Sequence, residues 1–444
     1  MVSVVSLKEI RTNYEEYAKV LEKRYLPGYL STLRRLKKLD ASWRENLKKL
    51  NELRRKKNEL SRRIAKGERG LLTKSKKVSS GIERLNEKVR KMEKEMWEYL
   101  KLLPNWLDER VPIGPDESYS EPVRYWGRPK VWKEHLKEFE RQTKGKVKYE
   151  LIDWEPLHHY DLVREFNLVE MEKASEIAGS RFYFEKGELV FLDLTLSLYA
   201  MDFFRKKGFN NVLITPYMMR RKVEERIAHM DTFIDALYST KEDDLILIPS
   251  SEHPICALYK DCTFRERELP LRIVAWSPAF RREAGAHGKD TKGIFRTHQF
   301  HKVELHSITT LDEDREELEF MVGVVEEFMQ GLRIPYRVVI LPSGDMDKRA
   351  LIQYDIEGWF PRQGKYRELG SYATMGCWVS EKINTKVNRK GRREFVANLY
   401  GTGCATQRTL LAMLVNNYNP KRQAIKLPEA LTKYVGFREI RKEE

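Results

Sequence analysis

The sequence predicts an α+β protein: a largely antiparallel sheet flanked by helices, with an N-terminal antiparallel helical coiled-coil arm. Three observations carry this. Heptads of apolar residues run through the first hundred positions. The positive charge is concentrated in that same stretch. Beyond about residue 150, strand-like and helical runs interleave with glycine-rich loops.

The arm is the clearest element. Val78, Ile82, Leu85, Val89, Met92, Met96, Tyr99 and Leu103 alternate at spacings of four and three, which is a coiled-coil seam. Upstream, Leu36, Trp43, Leu50 and Ile64 stand at multiples of seven, with Leu33, Leu47 and Leu60 in a neighbouring stripe. Gly67 and Gly70 interrupt the pattern and mark the turn of a hairpin. A helix of roughly 30 residues would be about 45 Å long.

Residues 31–103 hold 24 Lys and Arg against 10 Asp and Glu, so they carry nearly all of the net +16. Arg54, Arg55, Lys56, Lys57, Arg62, Arg63, Lys66, Arg69, Lys74, Lys76 and Lys77 crowd the tip. That sign imbalance exceeds what solubility needs and fits a polyanion such as RNA.

The arm is expected to close a first domain at residue 108, after Leu103-Pro-Asn105. A Pro/Gly/acid-rich linker would follow over 109–150, and a second domain over 151–444. There, helices are expected at 155–178, 192–207 and 405–418. Strands are expected at 211–215, 244–248, 271–276, 294–305, 335–341 and 394–400.

Composition excludes several classes. Hydrophobic residues make up 41% and charged residues 34%, a globular balance. There is no run of eighteen apolar residues and no signal-peptide core in the first twenty, so a cytoplasmic protein is expected. Cys256, Cys262, Cys377 and Cys404 form no CxxC pair, which argues against structural zinc.

Phe280-Arg-Arg-Glu-Ala-Gly-Ala-His-Gly-Lys-Asp-Thr-Lys-Gly-Ile-Phe-Arg-Thr-His-Gln-Phe-His-Lys-Val-Glu304 places two strand-like ends around a charged, glycine-rich loop. Such a hairpin projects Arg and Glu into a pocket while the loop covers a nucleotide. The planar fork of Arg281 suits a phosphate and a carboxylate together. This stretch resembles the second signature motif of class II aminoacyl-tRNA synthetases, in the seryl-tRNA synthetase form. Gly401-Thr-Gly-Cys-Ala-Thr-Gln-Arg408 resembles the third motif. Gly208-Phe-Asn-Asn-Val-Leu-Ile-Thr-Pro216 resembles the first, whose closing proline, here Pro216, sits at the dimer interface in that family. His159-Tyr-Asp-Leu, Gly179-Ser-Arg-Phe-Tyr183 and Trp126-Gly127 extend the likeness over nearly the whole chain.

The resemblance implies a set of roles. Arg281 bridges the serine carboxylate and the ATP α-phosphate, and Arg408 holds the γ-phosphate. Arg282, Glu283 and Thr297 line the nucleotide, and Phe300 stacks on adenine. Ser250 and Glu252, from Ser250-Ser-Glu252, read the serine amino group. Glu304 and Thr402 hold the serine, including its hydroxyl. Arg367-Glu-Leu-Gly-Ser371 resembles the segment that binds ATP and Mg2+, with Glu368, Leu369, Gly370 and Ser371 at the nucleotide and Glu368 and Ser371 as metal ligands. Their hard oxygens suit that ion. A small hydroxyl side chain needs polar partners for its selection, which Glu304 and Thr402 offer.

The same resemblance implies a homodimer and binding of tRNA(Ser) by the arm through Arg54, Arg55, Lys56, Lys57, Arg62 and Arg63. Motif three ends near residue 419, so no C-terminal anticodon-binding domain is expected. Tyr372-Ala-Thr-Met-Gly-Cys-Trp-Val-Ser-Glu381 and Val415 depart from the family pattern. They keep open a class II paralogue for another small amino acid. A non-catalytic RNA-binding relative is the other alternative.

Overall fold

The computed structural model describes residues 7–68, 70–229, 234–283, 290 and 292–442. The chain divides after Trp106 into two compact units.

The first unit begins with α1 (Leu7–Thr12) and α2 (Tyr14–Lys23), followed by α3 (Tyr29–Ala65) and α4 (Leu72–Leu102). α3 and α4 pack along their length as the hairpin that the heptads predict. Leu33, Leu36, Leu50 and Leu60 of α3, and Val78, Val89 and Met96 of α4, are buried. Trp43 and Ile64 are only half-buried. Between Leu36 and Leu50 the seam turns polar: Asp40 is buried and paired with Arg44 at 3.1 Å and with Arg11 of α1. α1 therefore covers a face that a two-helix coil would leave to solvent. The base is pinned by Tyr17, whose hydroxyl donates to the Pro104 carbonyl at 2.5 Å and whose ring meets Trp106 edge-on.

The second unit is built on eight strands: β1 (Glu121–Trp126), β2 (Asn211–Ile214), β3 (Leu271–Phe280), β4 (Gln299–Thr309), β5 (Tyr336–Ile340), β6 (Ile352–Phe360), β7 (Lys365–Thr374) and β8 (Ala397–Ala405). Their order across the sheet is β1-β5-β6-β7-β8-β4-β3-β2. Every neighbour is antiparallel except β2, which runs parallel to β3. Four helices matter to the site: α5 (Glu188–Lys206), α6 (Glu252–Leu258), α7 (Asp314–Gly331) and α8 (Thr406–Asn417). Phe203 and Phe204 of α5 meet Phe328 of α7 in the core.

Glycines let these layers close. A Cβ on Gly401 of β8 would lie 2.6 Å from both Met321 Sδ of α7 and Tyr372 Cδ1 of β7. One on Gly403 would lie 2.8 Å from Phe204 Cε2 of α5. β8 is buried along its whole length, so no larger residue is accommodated there.

Several expectations need correction. Residues 109–150, read as a linker, belong to the second unit and supply edge strand β1. Pro122 masks it as a strand, but an edge beside a register shift tolerates proline. The helix expected over 155–178 is two, His159–Glu165 and Glu172–Ala178, split by the short strand Val169–Glu170 after left-handed Asn167. Residues 294–298 are not strand; β4 starts at Gln299 and runs to Thr309. β6, β7 and α7 were not among the expected elements. β6 and β7 carry Asp355, Glu357 and Glu368 inside a central sheet, which breaks the apolar run that marks a buried strand.

Gly401→Ala overpacks β8 against Tyr372 and Met321 and should cost about 1–3 kcal/mol. Denaturant unfolding followed by tryptophan fluorescence should show a lower midpoint for this variant.

Candidate active site

One cleft gathers most of the expected chemistry. Arg281, Glu283, Thr297, Phe300, Glu368, Leu369, Thr402 and Arg408 line it, together with Ile294, Phe295, Arg296, Lys302, Ala405 and Gln407. Its empty space is about 490 Å³. Arg281 follows the end of β3, and Phe300 and Lys302 lie on β4. Glu368 comes from β7, Thr402 from β8 and Arg408 from the first turn of α8. Adjacent antiparallel strands thus bring together residues more than a hundred positions apart.

Two arginines face each other across the cleft. The Arg281 guanidinium lies 5.3 Å from the Phe300 ring and donates through Nε to the Pro249 carbonyl at 3.2 Å. Arg408 reaches Glu368 Oε1 at 3.1 Å and donates through Nε to the Phe295 carbonyl at 3.2 Å. Desolvation lowers the pKa of Arg281, and the nearby Arg408 lowers it further. Two crowded cations call for an anion between them. Phe295, missed in the sequence, lies between Arg408 at 5.0 Å and Arg367 at 4.4 Å. Arg367 in turn ties β7 to Asp290 of the loop at 2.7 Å. Arg296 holds Glu283 at 3.0 Å. Residues 284–289 and 291 of that loop, and Arg69 of the arm tip, lie outside the described residues.

A bulge shapes the acidic wall. Glu368 is opposite Glu357, Gly370 opposite Ile356 and Ser371 opposite Asp355, so Leu369 is the extra residue. In a regular strand Glu368 and Ser371 would face opposite ways. The bulge restores them to one face, beside buried Asp355, whose Oδ1 has no hydrogen-bond partner. Burial and then Glu368 push the Asp355 carboxyl well above the usual range. Desolvation raises Glu368, but Arg408 and Arg281 outweigh it and hold its carboxyl low. These hard oxygens fit a divalent cation.

Deeper in, Glu304 is wholly buried. Its Oε2 accepts a hydrogen bond from Ser250 at 3.0 Å and pairs with Lys302, while Oε1 has no partner. The Ser250 hydroxyl accepts from the Glu252 backbone N–H at 3.2 Å, which ties the start of α6 to β4. Thr402 stands opposite Glu304 in the β4–β8 ladder, where a register shift leaves Gly403 extra.

Glu252 is held by buried Arg349 at 2.8 Å, and Arg349 also grips Asp347 at 2.7 Å. Burial opposes ionisation of both acids. Arg349 wins, leaving Glu252 below its ordinary range and Asp347 at about 2.

Arg282 is exposed and is not among the residues that line the cleft. Gly370 and Ser371 lie on β7 and are not among the residues that line the cleft. A Cβ on Gly370 would meet Thr402 Cβ at 2.8 Å, so this glycine allows the two strands to approach. The departing segment 372–381 is buried beyond Tyr372 through Ser380. Tyr372 donates to the Thr402 carbonyl at 2.8 Å and so supports the pocket wall. Val415 is buried on α8. Arg349 and Lys302 were missed. Lys302 stands two residues from Glu304, on the same strand face, a spacing that sequence alternation exposes. Arg349 had no such signal.

In the arm, Arg54, Arg55, Lys56 and Arg62 are exposed and Lys57 is half-buried. Arg63 pairs with Glu68 at 2.6 Å.

An arginine-lined cleft on a mostly antiparallel sheet, with the third motif passing from β8 into α8, defines a class II aminoacyl-tRNA synthetase. The model of the class II tRNA synthetase core domain (G, H, P, S and T) matches residues 233–417, and that of the seryl-tRNA synthetase N-terminal domain matches residues 4–107. A serine–tRNA ligase of Korarchaeum cryptofilum is 44% identical over 99% of this chain and 97% of its own. The crystal structure of seryl-tRNA synthetase from Pyrococcus horikoshii, complexed with ATP, superposes with a TM-score of 0.95 at 38% identity, covering 99% of this chain and 100% of that one. The cytoplasmic serine–tRNA ligase of Naegleria fowleri, in complex with AMP, gives 0.85 at 30% identity, covering 100% and 99%. The chain belongs to the seryl-tRNA synthetase family.

Arg349→Met would leave Glu252 and Asp347 buried without their cation and should cost about 3–5 kcal/mol. Equilibrium unfolding of the full chain should show this loss.

Proposed function

We propose that this chain activates serine with ATP and transfers it to the 3′ end of tRNA(Ser). The observation that carries the reading is the shared cleft of Arg281, Arg408, Glu368 and Thr402, with Glu304 buried beside it. In the first step the serine carboxylate attacks the α-phosphorus of ATP. The bond to the bridging oxygen breaks, and pyrophosphate leaves with its electron pair. The carboxylate is already a nucleophile, so catalysis consists of positioning and charge stabilisation. Arg281 holds the serine carboxylate against the α-phosphate, and Arg408 takes the γ-phosphate. Adenine stacks on Phe300, with Glu283 and the Thr297 backbone at its edge. Mg2+, when bound, supplies positive charge to the phosphates. Glu368 and Ser371 would hold it, with the unpaired oxygen of Asp355 behind them. Ser250 and Glu252 take the serine ammonium. Glu304 and Thr402 take its hydroxyl.

In the second step the ribose 3′-hydroxyl of the terminal tRNA nucleotide attacks the adenylate carbonyl. AMP leaves, and the hydroxyl proton passes to the adenylate phosphate.

The arm supplies the RNA contact. Arg54, Arg55, Lys56, Lys57, Arg62 and Arg63 present cation to a phosphate backbone, once Arg54 leaves Asn86 and Arg63 leaves Glu68. A cytosolic location fits an enzyme that uses ATP and tRNA, and the free, buried thiols of Cys256, Cys377 and Cys404 suit a reducing compartment. Among the described residues, no helix is long and apolar enough to cross a membrane.

One face of the second unit supports a homodimer. Phe191, Leu194 and Leu198 are exposed at helical spacing on α5, which packs against edge strand β2 with its exposed Val212 and Ile214. Pro216 is exposed just beyond. An apolar helix face next to an open sheet edge is the composition of an interface.

Three outcomes test the reading. Pyrophosphate should exchange into ATP only when serine is present; exchange driven equally by alanine, glycine or threonine would contradict it. Replacing Arg54, Arg55, Lys56 and Lys57 together with glutamine should raise the KM for tRNA by about tenfold or more while exchange is retained. Leu194→Glu with Leu198→Glu should halve the mass seen by light scattering.

A further inference from the structure

We propose that Lys302 positions Glu304 for specificity: by neutralising Oε2 of a wholly buried carboxylate, it keeps Glu304 ionised so that unpartnered Oε1 accepts a hydrogen bond from the substrate hydroxyl. The inference deepens the serine reading of this site and rests on it.

The geometry separates the two oxygens. Oε2 is saturated by Ser250 at 3.0 Å and by Lys302. Oε1 is buried with no partner. A buried acceptor left unsatisfied costs about 1–3 kcal/mol, so it favours a ligand that donates there. Serine carries such a donor and alanine does not.

That discrimination requires an acceptor. A carboxyl protonated on Oε1, the oxygen to which Ser250 does not donate, would present a donor there instead. The groups that face Glu304 come from four directions. Lys302 is on its own strand. Glu252 and Cys256 approach from α6, with Ser250 just before it. Arg281 lies beyond the end of β3, and Tyr372 on β7. Burial is the largest influence and leaves the Glu304 carboxyl above its ordinary range; Lys302 limits that rise, and Glu252 adds to it. Lys302 is the cation that touches Glu304 directly. It lines the cleft and is nearly buried itself, so its charge is poorly screened.

Removing that charge raises the carboxyl further, because the Ser250 hydrogen bond then opposes desolvation without the lysine's charge. Activity that needs ionised Glu304 is then lost as pH falls and regained as pH rises. The test is serine-dependent pyrophosphate exchange by the full chain, with wild type, Lys302→Met, Lys302→Arg and Glu304→Gln compared between about pH 6.5 and about pH 9.5. Near neutrality Lys302→Met should lose about tenfold or more in kcat/KM for serine relative to wild type. The deficit should shrink by about fivefold or more at the alkaline end, while the KM for ATP changes less than about threefold. Lys302→Arg should show a deficit that does not vary with pH. If Lys302→Met fails to fold, Lys302→Gln carries the same expectation, since it restores a hydrogen bond but no charge.

A neutral-side-chain deficit that is constant across pH, or absent, overturns the proposal. So does a pH-dependent deficit of equal size in Lys302→Arg. Glu304→Gln separates this from failure of the serine reading. If that variant keeps full preference for serine over alanine, the reading of the site falls. If it loses the preference while the Lys302→Met deficit stays flat, only the role of Lys302 falls.

Discussion

Glu304 has no exposed surface, and a carboxylate taken out of water is tolerated only with partners. Lys302 and Ser250 supply them on one oxygen. Ser250 in turn fixes the start of α6, and with it Glu252. Glu252 needs Arg349, and Arg349 needs Asp347. A chain of buried charges therefore runs from the centre of the sheet to the loops around it. Each member is held in one place because the next would otherwise be unpaired. In the function proposed above, the two ends of a small amino acid read different members of that chain.

The sheet permits this crowding through glycine and bulges rather than through large side chains. Gly370, Gly401 and Gly403 occupy points where a Cβ would strike a ring, a thioether or a neighbouring strand. The bulge at Leu369 turns Glu368 and Ser371 to one face, and the shift at Gly403 sets Thr402 opposite Glu304. Fold and chemistry are therefore not separable here. The irregularities that weaken the strand ladder locally are the ones that aim the polar groups.

Where local pattern and tertiary role agree, the sequence was legible. The heptads of α3 and α4, the strand ends around Arg281 and the turn from β8 into α8 all belong to this kind. The central strands β6 and β7 were not legible, because buried acids break their apolar runs. α7 is a different case: its stripe of Leu318, Met321, Val322, Val325 and Phe328 is legible at helical spacing, although no helix was expected there. The site residues carried by motifs fall mostly around one cleft. Arg349 was beyond reach, since nothing in Asp347-Lys-Arg349 reveals that it folds back on Glu252. Arg282 shows the converse: membership of a motif does not place a side chain in the cleft.

The central claim is that a buried acceptor beside this cleft recognises a hydroxyl. Calorimetric titration of the wild-type chain with two inert adenylate mimics, seryl and alanyl sulfamoyl adenosine, addresses it without turnover. The account predicts that the seryl compound binds about a thousandfold more tightly, a difference of about 4 kcal/mol. Affinities within about tenfold of each other would contradict it.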